Sequence, residues 1–379
     1  MSRFSKGFLP LAGGLMMSLG IMWLASQPQI ATGSVYAGGD LAQVATPTST
    51  LQPTSQTTPM PTPLPTMPPP QIAGCDIFPG DNIWNTRVDT LPLDPNSAAY
   101  VATIDGGLTL HPDFGAGLWD GGPIGIPYIT VAGNQRKVAV AFDYATESDP
   151  GPYPVPTNAP IEGGADGDGD RHIIMLDQDT CLLYELFYAY PQADGSWTAG
   201  SGAIFDLDSH ALRPDTWTSA DAAGLPILPG LVRYDEVASG EIRHAIRFTA
   251  PETQRAYVWP ARHYASSLTE ERFPPMGQRF RLRADFDTGE FSPTVQVILR
   301  AMQTYGLILA DNGSAWYISG APDERWDNDV LRELGTIRGS NFEAVDVSSL
   351  QLDANSGQVR APVQEPQNQQ LYLPIVERP

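Results

Sequence analysis

Short apolar segments alternate with short polar segments between residues 75 and 350. The apolar segments are rich in Val, Ile, Tyr and Phe, and the polar segments contain Gly, Pro, Asn and Asp. Two apolar segments joined by a short polar turn are typical of a β-hairpin. The pattern predicts four such pairs: 128–131 with 138–144, 172–177 with 181–190, 242–249 with 255–258, and 307–310 with 315–319.

Two segments near the end of this region have a helical pattern instead. Residues 293–305 carry apolar side chains at a spacing that places them on one face of a helix, and residues 328–334 form the second predicted helix. Hairpins and few helices together predict a mainly β fold. We expect an antiparallel β-sandwich or jelly roll with a few short helices.

The first 37 residues have the pattern of an export signal. Arg3 and Lys6 precede an apolar run at 8–25, the order of segments found in secretory signals. The run is barely long enough to cross a bilayer as a helix, so a cleaved signal and an uncleaved anchor both remain open. In either case we expect a secreted or extracellular surface-attached protein, in the second case tethered to the membrane or envelope through its N-terminus.

Composition divides the remaining chain into three parts. Residues 38–74 are rich in Pro and Thr, and such a segment is expected to form an extended spacer without a core. Residues 75–350 mix apolar, aromatic and acidic side chains and are predicted to form a single globular β-rich domain. Residues 351–379 form a polar tail with a short apolar end.

The chain is strongly acidic, with 43 acidic residues against 22 basic ones and a net charge of −21. Such a surface repels phosphate backbones, so the composition argues against nucleic-acid binding. The sequence has no Gly-rich phosphate loop, no Gly-x-Ser-x-Gly elbow and no His-Glu-x-x-His motif. These absences argue against nucleotide binding, common esterase chemistry and zinc peptidase activity.

The two cysteines of the chain, Cys75 and Cys181, both lie in the predicted domain. Cysteines of exported proteins are usually paired, so we predict one disulfide between them. Their number excludes a zinc site made of four cysteines.

His172 and Glu185 are the predicted acid–base pair. With a two-residue loop at Gln178–Asp179, His172 directly faces Glu185 across the hairpin. A carboxylate beside an imidazole raises its proton affinity and orients the ring, which suits general acid–base catalysis. The alternative is a structural hydrogen bond. On the other face of the same strand, Tyr184 and Tyr188 are predicted either to stack against sugar rings or to fill the core.

Arg243, Arg262 and His263 are the predicted cationic binding residues. They lie in or just beyond the hairpin predicted at 242–258. Arg forms two-pronged pairs with carboxylates, so such a cluster could hold a uronic acid. The alternative is pairing with the abundant acidic residues of the chain itself.

Asp166, Asp168 and Asp170 are the predicted metal ligands. Alternating Asp residues on a Gly-rich loop can direct several oxygens toward one calcium ion. Arg171 stands where an EF-hand needs Gly, so a plain acidic turn is the alternative. No motif of the chain requires a cofactor, and calcium is the single ion that its sequence suggests.

Several sequence blocks are distinctive as a set: CDIFPGDNIWNTRVD, GDRHIIMLD, GEIRHAIRF, YVWPARHYASS and LADNGSAWYISGAPDERWDNDVL. Together they resemble a family of exported proteins to which no activity is assigned. The resemblance spans residues 75–350 and implies one continuous extracellular domain. It implies no catalytic residues.

Taken together, these features predict an extracellular carbohydrate-active protein. As an enzyme it would be a polysaccharide lyase, or a glycoside hydrolase in which Glu185 acts with Asp206 or Asp208. The alternative is a non-catalytic glycan-binding or adhesive surface protein. In either case the expected partner is an extracellular polysaccharide or a cell-surface glycan.

Overall fold

The computed structural model of the protein describes residues 68–360. The predicted export signal, most of the predicted spacer and the end of the predicted tail lie outside the described residues. Between residues 68 and 360, no helix is long and apolar enough to cross a membrane.

Strands outnumber helices in this region. The strands are β1 (Gln71–Ile72), β2 (Cys75–Asp76), β3 (His111–Asp113), β4 (Leu118–Trp119), β5 (Gly122–Pro123), β6 (Tyr128–Val131), β7 (Val140–Phe142), β8 (Ile173–Asp177), β9 (Leu182–Phe187), β10 (Tyr190–Pro191), β11 (Trp197–Ala199), β12 (Ser201–Asp206), β13 (Ile246–Ala250), β14 (Arg279–Leu282), β15 (Leu307–Asn312), β16 (Tyr317–Ser319) and β17 (Phe342–Val345). The helices are α1 (Ser97–Ile104), α2 (Tyr234–Ser239), α3 (Pro293–Thr304) and α4 (Asn328–Leu331). The predicted mainly β fold with a few short helices is confirmed.

Two sheets dominate the architecture. The four-stranded sheet has the order β12-β9-β8-β6, and the six-stranded sheet has the order β17-β14-β15-β13-β16-β3. Most neighbours are antiparallel, but β6 runs parallel to β8, β13 to β15, and β16 to β3. Both large sheets are therefore mixed.

The four-stranded sheet is buried on both faces. Ile174 and Leu176 of β8 belong to the main core, which also contains Phe248 of the six-stranded sheet. Ile173 and Met175 belong to a second core on the opposite face. Because successive strand residues point to opposite faces, a strand covered on both sides needs the unbroken apolar run that this segment has.

Of the four predicted hairpins, the one formed by β8 and β9 is confirmed. The other three predictions are wrong. β6 and β7 lie in different sheets, residues 255–258 form no strand of their own, and β13 lies between β15 and β16. A short polar connection limits how far the chain travels between two strands, but it does not oblige those strands to pair. The two predicted helices are confirmed as α3 and α4, with a 3-10 turn at Arg332–Thr336 following α4.

The predicted disulfide between Cys75 and Cys181 is also confirmed. It joins the first residue of β2 to the turn between β8 and β9. The bridge therefore attaches the start of the domain to the four-stranded sheet.

Candidate functional site

The turn between β8 and β9 sets the position of the predicted acid–base pair. Asp177 pairs with Leu182, so the loop contains four residues instead of two, and Glu185 faces Ile174. His172 therefore does not lie directly opposite Glu185, and that part of the prediction is wrong. The longer loop is stabilised because the Asp177 carboxylate accepts hydrogen bonds from the backbone N–H groups of Asp179 and Thr180.

His172 pairs with Glu162 instead. The imidazole is buried, with Nδ1 at 2.5 Å from Glu162 Oε2 and Nε2 at 3.0 Å from the carbonyl oxygen of Ala220. Burial lowers the pKa of His172, but the adjoining Glu162 carboxylate outweighs it and raises that pKa to about 9. No sequence pattern indicates Glu162 as the partner, because this residue lies in a loop.

Glu185 has a different environment. Its fully buried carboxyl group accepts hydrogen bonds of 2.9 Å from the backbone N–H groups of Ile227 and Leu228. Burial raises its pKa to about 7, although these two donors oppose the shift. Glu185 lines neither of the two cavities described below.

The predicted cationic residues do not form one free cluster. Arg262 is buried and donates to the carbonyl oxygens of Arg213 and Ala354. Arg243 lies 4.0 Å from the Glu241 carboxylate. Both arginines therefore have partners within the chain, as the alternative interpretation expects. His263 differs from them because it lines a cavity, with Nδ1 at 2.8 Å from the carbonyl oxygen of Ala222.

The two predicted stacking residues, Tyr184 and Tyr188, lie in different environments. Tyr184 is buried in the second core, and its hydroxyl accepts a hydrogen bond of 2.6 Å from Lys137 Nζ. Tyr188 lies beyond the end of β9, at a backbone φ of 55°, and is exposed. The two side chains therefore do not share a stacking surface.

The acidic loop leaves Asp166, Asp168 and Asp170 exposed. Arg171 holds this loop together, since its guanidinium donates to the carbonyl oxygens of Gly164, Ala165 and Gly167. Asp170 is the member of the acidic series whose carboxylate comes within 4.8 Å of ligand atoms of Glu162 and His172. Calcium binding by the three Asp residues stays a prediction.

The first of two cavities has a volume of about 370 Å³. Its lining includes the acidic residues Glu147, Asp170, Asp221 and Asp311, together with His263 and the aromatic residues Tyr144 and Phe187. Groups that can donate, accept and hold protons therefore surround a space large enough for a small ligand.

A buried charge cluster forms one wall of this cavity. Arg247 of β13 donates two hydrogen bonds of 2.7 Å to the Asp221 carboxylate and one of 2.7 Å to Ser319 Oγ. Asp311 of β15 lies beside them, hydrogen-bonded to Asp221, with Oδ2 at 3.4 Å from Arg247 Nη2. Burial and the neighbouring Asp221 charge raise the pKa of Asp311 to about 8. Asp311 is therefore a neutral acid beside an ion pair.

The second cavity, of about 630 Å³, lies where β3, β16 and the β4–β5 hairpin come together. His111 stacks on Tyr317 with ring centroids 4.1 Å apart, and Trp119 is 79% exposed at its edge. Asp113 and Glu162 also line it, and burial raises the pKa of Asp113, with the Glu162 charge acting in the same direction.

Two further histidines and the predicted Asp206 and Asp208 are held by local contacts. His210 Nε2 lies 3.1 Å from Asp81 Oδ1, and the buried His244 has Nε2 at 3.1 Å from Glu236 Oε2. Asp206 accepts a hydrogen bond from the backbone N–H of Asp208, so this pair belongs to a turn. None of these side chains lines either cavity.

The first cavity brings together groups that can take part in proton transfer. A carboxyl with a raised pKa, a carboxylate held by arginine and an imidazole are suited to general acid–base chemistry. No protein-family model, curated protein or solved structure matches this chain. The cavity and its side chains therefore carry the functional argument.

Proposed function

We propose that the protein is an extracellular glycoside hydrolase that acts on a neutral polysaccharide in the first cavity. The observation that carries this proposal is the position of Asp311, which lines the cavity beside the Asp221–Arg247 ion pair, where burial and the Asp221 charge raise its pKa to about 8. Glycoside hydrolysis needs such an acid to protonate the departing sugar oxygen.

Asp311 is suited to that role by its surroundings. A pKa of about 8 keeps the proton on Asp311 at neutral pH while leaving it acidic enough to give up. Arg247 fixes the Asp221 carboxylate through two hydrogen bonds, so the negative charge that opposes ionisation of Asp311 stays in place.

A second carboxylate must lie on the other side of the scissile bond. Asp221 is hydrogen-bonded to Asp311, whereas the two carboxyl groups of a glycosidase are roughly 5 to 9.5 Å apart. We therefore assign the second role to Glu147, which lines the same cavity with His263 Nε2 3.8 Å from its Oε2.

The charges around the cavity favour a neutral substrate. Glu147 and Asp170 place negative charge at the site, and a uronic acid would be repelled by it. A lyase also needs a free cation for the uronate carboxylate, and Arg262 is already bound to backbone carbonyls. Hydrolysis is therefore favoured over β-elimination.

Two further features support an extracellular site of action. The Cys75–Cys181 disulfide is of a kind that persists in oxidising compartments. The export signal predicted at residues 1–37 points to the same location.

The experiment is a cleavage assay of the purified full chain on neutral and uronic-acid polysaccharides. New reducing ends without ultraviolet absorbance are expected from a neutral polymer, and Asp311→Asn should lower the rate roughly 100-fold or more, the usual contribution of a general acid. Asp143→Asn is the matched control, since this exposed residue lines neither cavity. Ultraviolet absorbance would indicate a lyase, and equal rates in the two variants would exclude Asp311 as the acid.

A second candidate function, glycan binding without cleavage, is favoured by the exposed Trp119 at the second cavity. An exposed indole is a good platform for a sugar ring. Retention on a polysaccharide in affinity electrophoresis, lost in Trp119→Ala but kept in Tyr144→Ala, would support this candidate. Tyr144 is the matched control because it is an exposed aromatic residue at the first cavity.

A further inference from the structure

We propose that Glu162, Asp170 and His172 bind a divalent transition metal ion of the zinc or manganese class. One ligand atom from each residue lies within 4.8 Å of the others. This site differs from the predicted calcium loop, because it takes only Asp170 from the acidic series and adds a buried imidazole.

The orientation of His172 is the first argument. Nε2 lies 3.0 Å from the carbonyl oxygen of Ala220, so this nitrogen carries a hydrogen and donates it. Histidines that bind metals usually donate their second ring N–H in this way, to a backbone carbonyl or a carboxylate. Nδ1 is then the nitrogen that remains for a metal, and it faces Glu162.

The two carboxylates are the second argument. Glu162 Oε2 is hydrogen-bonded to Nδ1 at 2.5 Å, and this bond must open for an ion to enter, because two ligands about 2.1 Å from one zinc ion lie roughly 3 Å or more apart. The Asp170 carboxylate completes the group. Asp113 adds further negative charge close to Glu162. One imidazole nitrogen with two carboxylate oxygens is a ligand set that suits zinc or manganese, and three protein ligands leave a coordination position for water.

The backbone around these residues is firmly held. The N–H of Glu162 donates to the carbonyl oxygen of His172 at 3.1 Å, which fixes two of the three ligands relative to each other. Arg171 lies between Asp170 and His172 in sequence. Its guanidinium anchors the loop through hydrogen bonds to Gly164, Ala165 and Gly167. Asp170 is exposed, so an ion can reach its carboxylate from solvent.

Metal binding would replace a proton. Without the ion, the Glu162 carboxylate is paired with a protonated His172, in which Nδ1 donates to Oε2. On binding, the Nδ1 proton leaves to solvent and the nitrogen lone pair coordinates the ion, so uptake of the metal releases a proton.

The test is isothermal titration calorimetry of the untagged full chain, stripped with a chelator, against zinc chloride, manganese chloride and calcium chloride. We expect one ion per chain. Asp170→Asn should weaken binding by roughly 10- to 100-fold or more. Loss of an outer-shell partner alone has an effect of that size, and Asp170 would contact the ion directly. Asp168→Asn is the matched control, because it makes the same charge change at an exposed position of the same loop.

Each outcome decides the proposal. Weaker binding in Asp170→Asn and in His172→Gln, with unchanged binding in Asp168→Asn, supports the site. Absence of binding, or equal weakening in Asp168→Asn and Asp170→Asn, overturns it. Binding of calcium alone, weakened by both Asp variants, would assign the ion to the acidic loop instead. Because the readout is binding, the result is independent of whether Asp311 supports hydrolysis.

Discussion

Arg247 and Asp221 form an ion pair almost entirely removed from water, with side chains 5% and 0% exposed. Moving two charges out of water is costly, and that cost is offset only while each charge keeps its partner. The pair also positions Asp311, so its integrity decides both the stability of the domain and the state of the proposed acid.

Replacing Arg247 with Met should lower the free energy of unfolding by about 3–5 kcal/mol, because Asp221 then remains buried without a counter-ion. Chemical denaturation of the purified protein measures this loss. Arg332→Gln removes a surface pair with Asp329 and should have no measurable effect. Adding Asp221→Asn to Arg247→Met should recover part of the loss, and a double variant less stable than Arg247→Met would contradict the ion-pair explanation.

Some residues of the candidate site could be selected from the sequence and others could not. His263 and Asp170 were found because imidazoles and alternating Asp residues have recognisable chemistry. The hairpin predicted at 307–310 and 315–319 places Asp311 in the connecting turn, whereas it lies in β15, and the residue that holds it, Arg247, is 64 positions away. The one available signal was an Asp directly after the buried apolar run of that strand.

Strand β9 carries a buried carboxyl group, Glu185, that lines neither cavity. Glu185 lies on the face of β9 that meets the 3-10 turn Leu228–Gly230, and its carboxyl group accepts two N–H groups at the start of that turn. The carboxyl therefore joins the four-stranded sheet to the turn.

This arrangement predicts a pH dependence of stability between pH 4.5 and 7. The folded state holds a proton on Glu185 up to about pH 7, whereas an ordinary Glu loses it near 4.5. In that window the folded state binds the extra proton, so this group makes the protein less stable as the pH rises. The difference in pKa corresponds to roughly 3 kcal/mol.

Glu185→Gln should remove this contribution, because a neutral amide can still accept the two N–H groups. Urea unfolding from pH 4.5 to 8 should therefore show the stability of Glu185→Gln rising relative to wild type. Glu252→Gln, at an exposed position, is the control and should parallel the wild type. A constant difference between Glu185→Gln and wild type would show that Glu185 titrates normally.

The elements predicted from sequence were those whose partners are close in the chain. The β8–β9 hairpin and helix α3 depend on neighbours within a few residues, and their local patterns were sufficient. Strand β13 pairs with β15 and β16, which follow it by more than 50 positions. No local sequence pattern indicates such pairing.

At the level of the whole domain, the disulfide constrains the chain over a sequence separation of 106 residues. A bridge across so long a segment restricts the unfolded chain strongly. Replacing both Cys75 and Cys181 with Ser should lower the free energy of unfolding by about 2–5 kcal/mol. Denaturation of the variant and of the reduced wild type should agree, and two free thiols in the purified protein by mass spectrometry would contradict the bridge.

The negative charge of the whole molecule and the negative charge of the first cavity both repel anionic polymers. A net charge of −21 disfavours anionic polymers at long range, and the acidic lining of the first cavity disfavours them at contact. A neutral glycan experiences neither repulsion. This agreement between the surface and the site supports hydrolysis of an uncharged polysaccharide.

The proposed function depends on Asp311 carrying a proton at neutral pH. The most direct measurement is an NMR titration of the full chain with isotope-labelled aspartate, in which Asp311→Asn identifies the resonance. The structure predicts a carboxyl that titrates near pH 8, because Asp311 is largely removed from water beside the charged Asp221. A resonance that titrates below about pH 5, in the ordinary range of aspartate, would contradict the account.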